Sequence, residues 1–215
     1  MTNSTAKTAP NTTETVLVLD FGAQYGQLIA RRVRDLKVYS EIVPCDTPAE
    51  EIAAKKPAAL ILSGGPASVY AEDAPSVDPG VFELGIPVLG FCYGQQIMAT
   101  TLGGSVGHTE KGEYGPAPLT RCDSADGAAA SALFGDTPAE QTVWMSHRDA
   151  VSEVPEGFVV TSTTDVCPVA SMECAERKLY ATQFHPEVKH TEYGNQMLSN
   201  FLFNICGLQP TWTMD

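Results

Sequence analysis

Three short and nearly unbroken apolar runs constrain this chain most: Val16 to Leu19, Ala58 to Leu62 and Val88 to Phe91. Each is too short for a buried helix and lacks the polar alternation of a half-exposed strand. Such runs suit strands covered on both faces. The segments between them have helical character. From Tyr25 to Leu36, Leu28, Ile29 and Val33 fall on one side and Arg31, Arg32 and Arg34 on the other. Tyr39 to Val43 reads as another strand. Thr47 stands as a cap before Pro48 at the first helical position, and a short helix runs to Lys55. Alternating strands and helices predict an α/β fold, a mostly parallel central sheet with helices on both faces.

The pattern changes from about 105 to 175. Short β-like pieces at Gly115–Leu119, Thr142–Met145, Phe158–Thr163 and Val169–Met172 are separated by Gly, Pro and Asp turns. They predict antiparallel additions to the sheet. Leu179–Phe184 is a last strand. A closing helix over Glu192–Ile205 puts Met197, Leu198, Phe201, Leu202 and Ile205 on one face and stops at Gly207. Residues 1–14 read as a flexible polar tail, and 15–207 as one domain. Trp212 in the segment 208–215 needs something to pack against. Two readings stay open: a tail folding back on its own domain, or the start of a linker to a second domain.

Thirteen basic against 26 acidic residues give a formal net charge of −13. That surface repels phosphate backbones and anionic lipid, which argues against nucleic-acid and membrane partners. No apolar run approaches the roughly 20 residues that span a bilayer, and the N-terminus lacks a signal-peptide core. The expected compartment is the cytoplasm, with reduced cysteines. None of the six cysteines forms a C-x-x-C pair, so no metal site is expected.

Chemistry concentrates in two motifs. Gly90-Phe91-Cys92-Tyr93-Gly94 places a thiol on a tight turn between a buried strand and a helix. The flanking glycines let strand and helix pass closely, and the helix N-terminus favours thiolate. The N–H of Tyr93 points to where an oxyanion would form. In His185-Pro186-Glu187, residues i and i+2 project to one face, so a carboxylate can orient the imidazole. Ser63-Gly64-Gly65-Pro66 ends the neighbouring strand, and Gly65 is the candidate second oxyanion donor. His108 and His190 lack comparable support.

Gly-Phe-Cys-Tyr-Gly-Gln-Gln at 90–96, Leu-Ser-Gly-Gly-Pro at 62–66 and Phe-His-Pro-Glu-Val at 184–188 resemble the class I (triad) glutamine amidotransferases. The resemblance runs from Val16 to Gly207 and implies a flavodoxin-like three-layer fold. It implies that Cys92, His185 and Glu187 are the catalytic triad and that Gly65 and Tyr93 form the oxyanion hole. Gln96 and the segment Ser146, His147, Arg148 and Asp149 would bind glutamine. Asp20-Phe21-Gly22-Ala23-Gln24-Tyr25, Met145–Asp149 and Trp212-Thr213-Met214 resemble one branch of that family. In it the ammonia feeds an ATP pyrophosphatase (synthetase) domain that aminates adenylated XMP, partner chemistry that would need ATP and magnesium there and no cofactor here. These 215 residues contain no Ser-Gly-Gly-Val-Asp-Ser pyrophosphate loop. The resemblance also implies a homodimer for the whole enzyme. Competing readings are an amidotransferase of anthranilate, carbamoyl phosphate or CTP synthesis, an unrelated cysteine hydrolase, and a non-catalytic regulatory module.

Overall fold

The computed structural model describes residues 14–22, 24–65, 68–123 and 131–213. The polar tail expected over 1–14, save Glu14, lies outside the described residues. In the first half, β1 (Thr15–Asp20), α1 (Gly26–Asp35), β2 (Tyr39–Pro44), α2 (Ala49–Lys55), β3 (Ala59–Leu62), β4 (Val88–Phe91) and α3 (Tyr93–Thr101) alternate as the apolar runs predict. The second half holds β5 (Ser105–Arg121), β6 (Glu140–Glu153), β7 (Val159–Thr163), β8 (Ser171–Cys174), β9 (Leu179–Thr182) and α4 (Gly194–Ser199).

Among the described residues the strands join into one nine-stranded sheet, ordered β2-β1-β3-β4-β9-β8-β7-β5-β6. The first five run parallel, in the flavodoxin-like order. The remaining four add antiparallel. Side-chain alternation divides the parallel half between two cores. Val16, Val18, Ile61 and Phe91 meet Ile29, Val33, Met197 and Phe201 from α1 and the last helix. Leu17, Leu19, Leu60 and Leu62 meet Ile52, Ile97 and Met98 from α2 and α3, with Val81 and Phe82 from a 3-10 turn. Three layers result, as the sequence predicts.

Several details differ from the sequence reading. Strands β5 and β6 are 17 and 14 residues long, far beyond Gly115–Leu119 and Thr142–Met145. The extra length is a polar ribbon, held by backbone pairing rather than by apolar pattern, with a register shift between His108 and Glu113. Thr47 does not cap α2: its hydroxyl donates to the Pro44 carbonyl at 2.7 Å. The cap comes from Asp78, whose carboxylate accepts the Ala49 N–H at 2.8 Å and the Gly80 N–H at 2.9 Å. Those two bonds hold the Asp78 carboxyl below its ordinary pKa. The closing helix is α-helical only over Gly194–Ser199 and π-helical over Asn200–Ile205. Buried Asn200 sits at the change, its amide donating to the Leu133 carbonyl at 3.0 Å. The C-terminal segment folds back on its own domain. Leu208 is buried, the Trp212 N–H reaches the Lys37 carbonyl at 2.8 Å, and its ring lies 5.9 Å from that of Tyr39.

Candidate active site

The end of β4 delivers Cys92 into an unusual backbone conformation, φ 52° and ψ −104°, immediately before α3. Strain of this kind in a non-glycine residue costs of order 1–3 kcal/mol and persists only where the surroundings enforce it. They do so here by close packing. A Cβ on Gly90 would lie 2.7 Å from the Gly94 backbone, and one on Gly94 would lie 2.6 Å from the Leu62 carbonyl oxygen. The Cys92 N–H donates to the Thr182 carbonyl at 2.8 Å, locking the turn to β9.

The chain leaving β9 supplies the base. His185 Nδ1 and Glu187 Oε1 are 2.8 Å apart, and Cys92 stands close enough to the same imidazole to favour its charged form. With the carboxylate at Nδ1, the second ring nitrogen is left to exchange a proton. Glu187 is wholly buried, and its Oε2 has no hydrogen-bond partner among the described residues. Its carbonyl accepts from Arg32 Nε at 3.0 Å, and the Tyr25 ring lies 5.1 Å from the imidazole. Burial works against a charged imidazole. The Glu187 carboxylate, its hydrogen bond and the neighbouring Cys92 outweigh it and hold the His185 pKa well above its ordinary value.

Cys92 opens into a cavity of about 430 Å³. A larger one, about 590 Å³, lies between 107–111 and 150–152 and does not include the thiol. Gly65 and Tyr93 both line the thiol's cavity. The Tyr93 amide begins α3 and has no acceptor within the helix. Gly65 rests on the Tyr93 ring, where a Cβ would come within 2.7 Å of a ring carbon. Burial raises the Tyr93 hydroxyl to about 12, and that hydroxyl donates to the Pro75 carbonyl, away from the chemistry.

The segment 146–149 forms the opposite wall. Cys92 Sγ lies 3.7 Å from the Ser146 carbonyl oxygen. Arg148 and the Ser146 side chain are exposed, whereas His147 and Asp149 are buried. Gln96 lines the cavity, but its amide nitrogen donates to the Asp149 carbonyl at 2.8 Å and to Gln183 Oε1 at 3.1 Å. The His147 imidazole likewise serves the protein, with Nδ1 3.0 Å from the Asp149 carbonyl and Nε2 2.8 Å from Glu113 Oε2.

Two neighbours carry no clear signal in the sequence. Gln183 donates to Cys92 Sγ at 3.5 Å; its only mark is a polar residue inside an otherwise buried strand end. His108 pairs through Nδ1 with the Asp149 carboxylate, a meeting made by the β5–β6 register. Among the described residues no helix is long and apolar enough to cross a membrane.

A thiol on a strained strand-to-helix turn, a buried His–Glu pair behind it and a three-layer sheet define a cysteine-nucleophile hydrolase of amidotransferase type. Residues 17–205 match the family described as Glutamine amidotransferase class-I, and the chain belongs to that family. It is 57% identical over 211 residues to the GMP synthase [glutamine-hydrolyzing] of Thermobifida fusca, covering 98% of this chain and 39% of that protein. It is 59% identical over 200 residues to the Streptomyces avermitilis protein of the same name, covering 93% and 37%. The chain thus spans well under half the length of these relatives. A Thermoplasma acidophilum structure, described as that of a candidate GMP synthase subunit, superposes with TM-score 0.79 at 32% identity, covering 91% of this chain and 94% of that one. A Thermotoga maritima glutamine amidotransferase superposes with TM-score 0.69 at 19% identity, covering 91% and 99%, and speaks for the fold alone.

Proposed function

We propose that this chain hydrolyses glutamine to glutamate and ammonia. The observation that carries the reading is Cys92, strained at the start of α3 beside an imidazole that buried Glu187 holds from behind. Cys92 Sγ attacks the side-chain amide carbon, and its proton passes through His185 to the departing ammonia, leaving a γ-glutamyl thioester. Water then attacks the thioester carbon; His185 takes its proton and returns it to the Cys92 sulfur as glutamate leaves. The amides of Gly65 and Tyr93 hold the oxyanion in both steps. Asp149, buried in the cavity wall, takes the α-amino group of glutamine, with the backbone of Ser146, His147 and Arg148 beside it and Gln96 completing that wall.

The ammonia feeds an ATP pyrophosphatase domain that aminates XMP to GMP. The names of the relatives and the 39% and 37% shares of their lengths support this reading. ATP and magnesium belong to that other domain, and the chemistry of this one needs no cofactor. The whole enzyme works in the cytoplasm as a homodimer. Replacing Cys92 with Ala is expected to abolish ammonia release from glutamine, and a glutamine-mimicking alkylator to label Cys92 before the other five thiols. Equal labelling of all six in the folded protein overturns the assignment. A second measurement addresses the larger reading: ammonia release should accelerate when the synthetase domain is loaded with XMP, ATP and magnesium. A rate indifferent to that loading argues against the coupling and leaves the thiol chemistry standing.

A further inference from the structure

The cavity wall facing Cys92 belongs to the ribbon of β5 and β6, which among the described residues pairs with the rest of the sheet at two positions, Thr120 with Thr163 and Arg121 with Ser162. Met145, Ala150 and Val151 anchor it in the cores, and His108 on β5 meets the Asp149 carboxylate. Two further side chains hold the Asp149 backbone. The Asp149 carbonyl accepts from two side chains at once, Gln96 Nε2 at 2.8 Å and His147 Nδ1 at 3.0 Å. Gln96 comes from α3, the helix that begins beside the nucleophile. His147 in turn is gripped by Glu113, its cross-strand partner on β5, with Nε2 2.8 Å from Oε2.

The proton count makes this grip strong. A carbonyl only accepts, so Nδ1 carries a proton. Nε2 then faces a carboxylate oxygen, and a second proton must lie between them. The His147–Glu113 contact is therefore a charge-assisted hydrogen bond, or its neutral equivalent with the proton on the carboxylate. Both side chains are largely buried, 1% and 10% exposed. The other Glu113 oxygen accepts from the Thr164 hydroxyl at 2.8 Å, which ties the ribbon to the loop before β8. Cys167 lies near enough to form a trio with the pair. Its sulfur sits 3.3 Å from the Val169 carbonyl, toward which the thiol points, and burial pushes it up to about 12. It packs beside the pair and takes no part in the grip.

We infer that Glu113 is a positioning residue for glutamine recognition: through His147 it pins the Asp149 backbone, so that the Asp149 carboxylate stays opposite Cys92. The inference rests on the proposed glutamine site and reassigns His147 and Gln96 within it, from ligands of the substrate to holders of the residue that binds it. Glu113 touches neither thiol nor base, so its loss should loosen substrate binding and leave the nucleophile as reactive as before.

The test uses the whole protein, with Glu113→Ala, Glu113→Gln and Asp149→Asn compared in steady-state glutaminase assays and in Cys92 alkylation. For Glu113→Ala the KM for glutamine should rise on the order of 10-fold with kcat little changed, the signature of lost uniform binding. The rate of Cys92 alkylation by iodoacetamide, which has no α-amino group to place, should be unchanged. Labelling by a glutamine-shaped alkylator should slow in step with kcat/KM. Glu113→Gln keeps an acceptor for His147 and should recover part of the loss; it also serves if the Ala variant does not fold. An unchanged KM in both variants overturns the inference, as does a parallel fall in kcat and iodoacetamide rate. Asp149→Asn separates this result from the reading beneath it. If Asp149→Asn raises KM and the Glu113 variants do not, only the positioning role falls. If Asp149→Asn leaves KM unchanged, the assignment of the α-amino site falls, and the inference with it.

Discussion

Glu187 has no exposed surface, and only one of its carboxylate oxygens is hydrogen-bonded among the described residues. A buried carboxylate so placed is stabilised mainly by a cation beside it, the part that His185 plays whenever it carries a proton. The dependence runs both ways, because the carboxylate raises the imidazole pKa against the effect of burial. Glu187→Gln should therefore lower the His185 pKa toward its ordinary value, read by NMR of the imidazole carbons. The same variant should cut kcat by about 10²- to 10⁴-fold, since the orienting charge is lost. The linkage to stability has a definite sign. A raised folded-state pKa stabilises fully below the unfolded value, about 6.5, and that stabilisation is lost as pH rises through the higher folded value. Wild type should lose part of its stability between neutral and alkaline pH, and Glu187→Gln should show a flatter profile. Urea midpoints measured across that range decide the matter.

At the scale of elements, the start of α4 is pressed against the turn that carries the base. A Cβ on Gly194 would fall 2.0 Å from the Pro186 carbonyl oxygen, with backbone on every near side. Gly194→Ala should destabilise the fold by at least about 2 kcal/mol, toward the upper range of overpacking costs, and slow Cys92 alkylation as His185 shifts. A urea midpoint equal to that of wild type would contradict this packing. Nothing in the sequence marks Gly194 as special, because its crowding comes from the way the 186–194 connection curls back on itself. The same distinction explains what was legible elsewhere. Val16–Leu19 and Val88–Phe91 are buried on both faces, so their strands show as bare apolar runs. Cys92, His185 and Glu187 are legible because each motif is local. The outer ribbon of β5 and β6 is not, since its residues 107–114 are mostly exposed or half-exposed and pair through backbone. Glu113 and His108 acquire their partners through register, and Asp78 its Ala49 partner through a distant loop, which no local pattern encodes.

For the whole molecule, the continuous sheet hides a division of labour. Cys92 and His185 hang from β4 and β9 in the parallel half, which is sealed by two cores. The wall that faces them belongs to the antiparallel half. Backbone bonds stitch that wall to the base-bearing segment, from His185 N–H to the Trp144 carbonyl and from Glu192 N–H to the Thr142 carbonyl, each 3.1 Å. Substitutions confined to the ribbon tip, residues 109–112, should accordingly move KM for glutamine by several-fold while the iodoacetamide rate at Cys92 stays within about twofold, the split expected when binding and not reactivity is altered. Comparable shifts in both would show that the halves act as one rigid block. The slender two-pair join between β5 and β7 has a consequence for inheritance and engineering alike. The exposed ribbon tip around residues 108–112 can be lengthened, shortened or redecorated without reopening the buried sheet, so the wall opposite Cys92 can drift while the turn that carries the thiol is passed on intact.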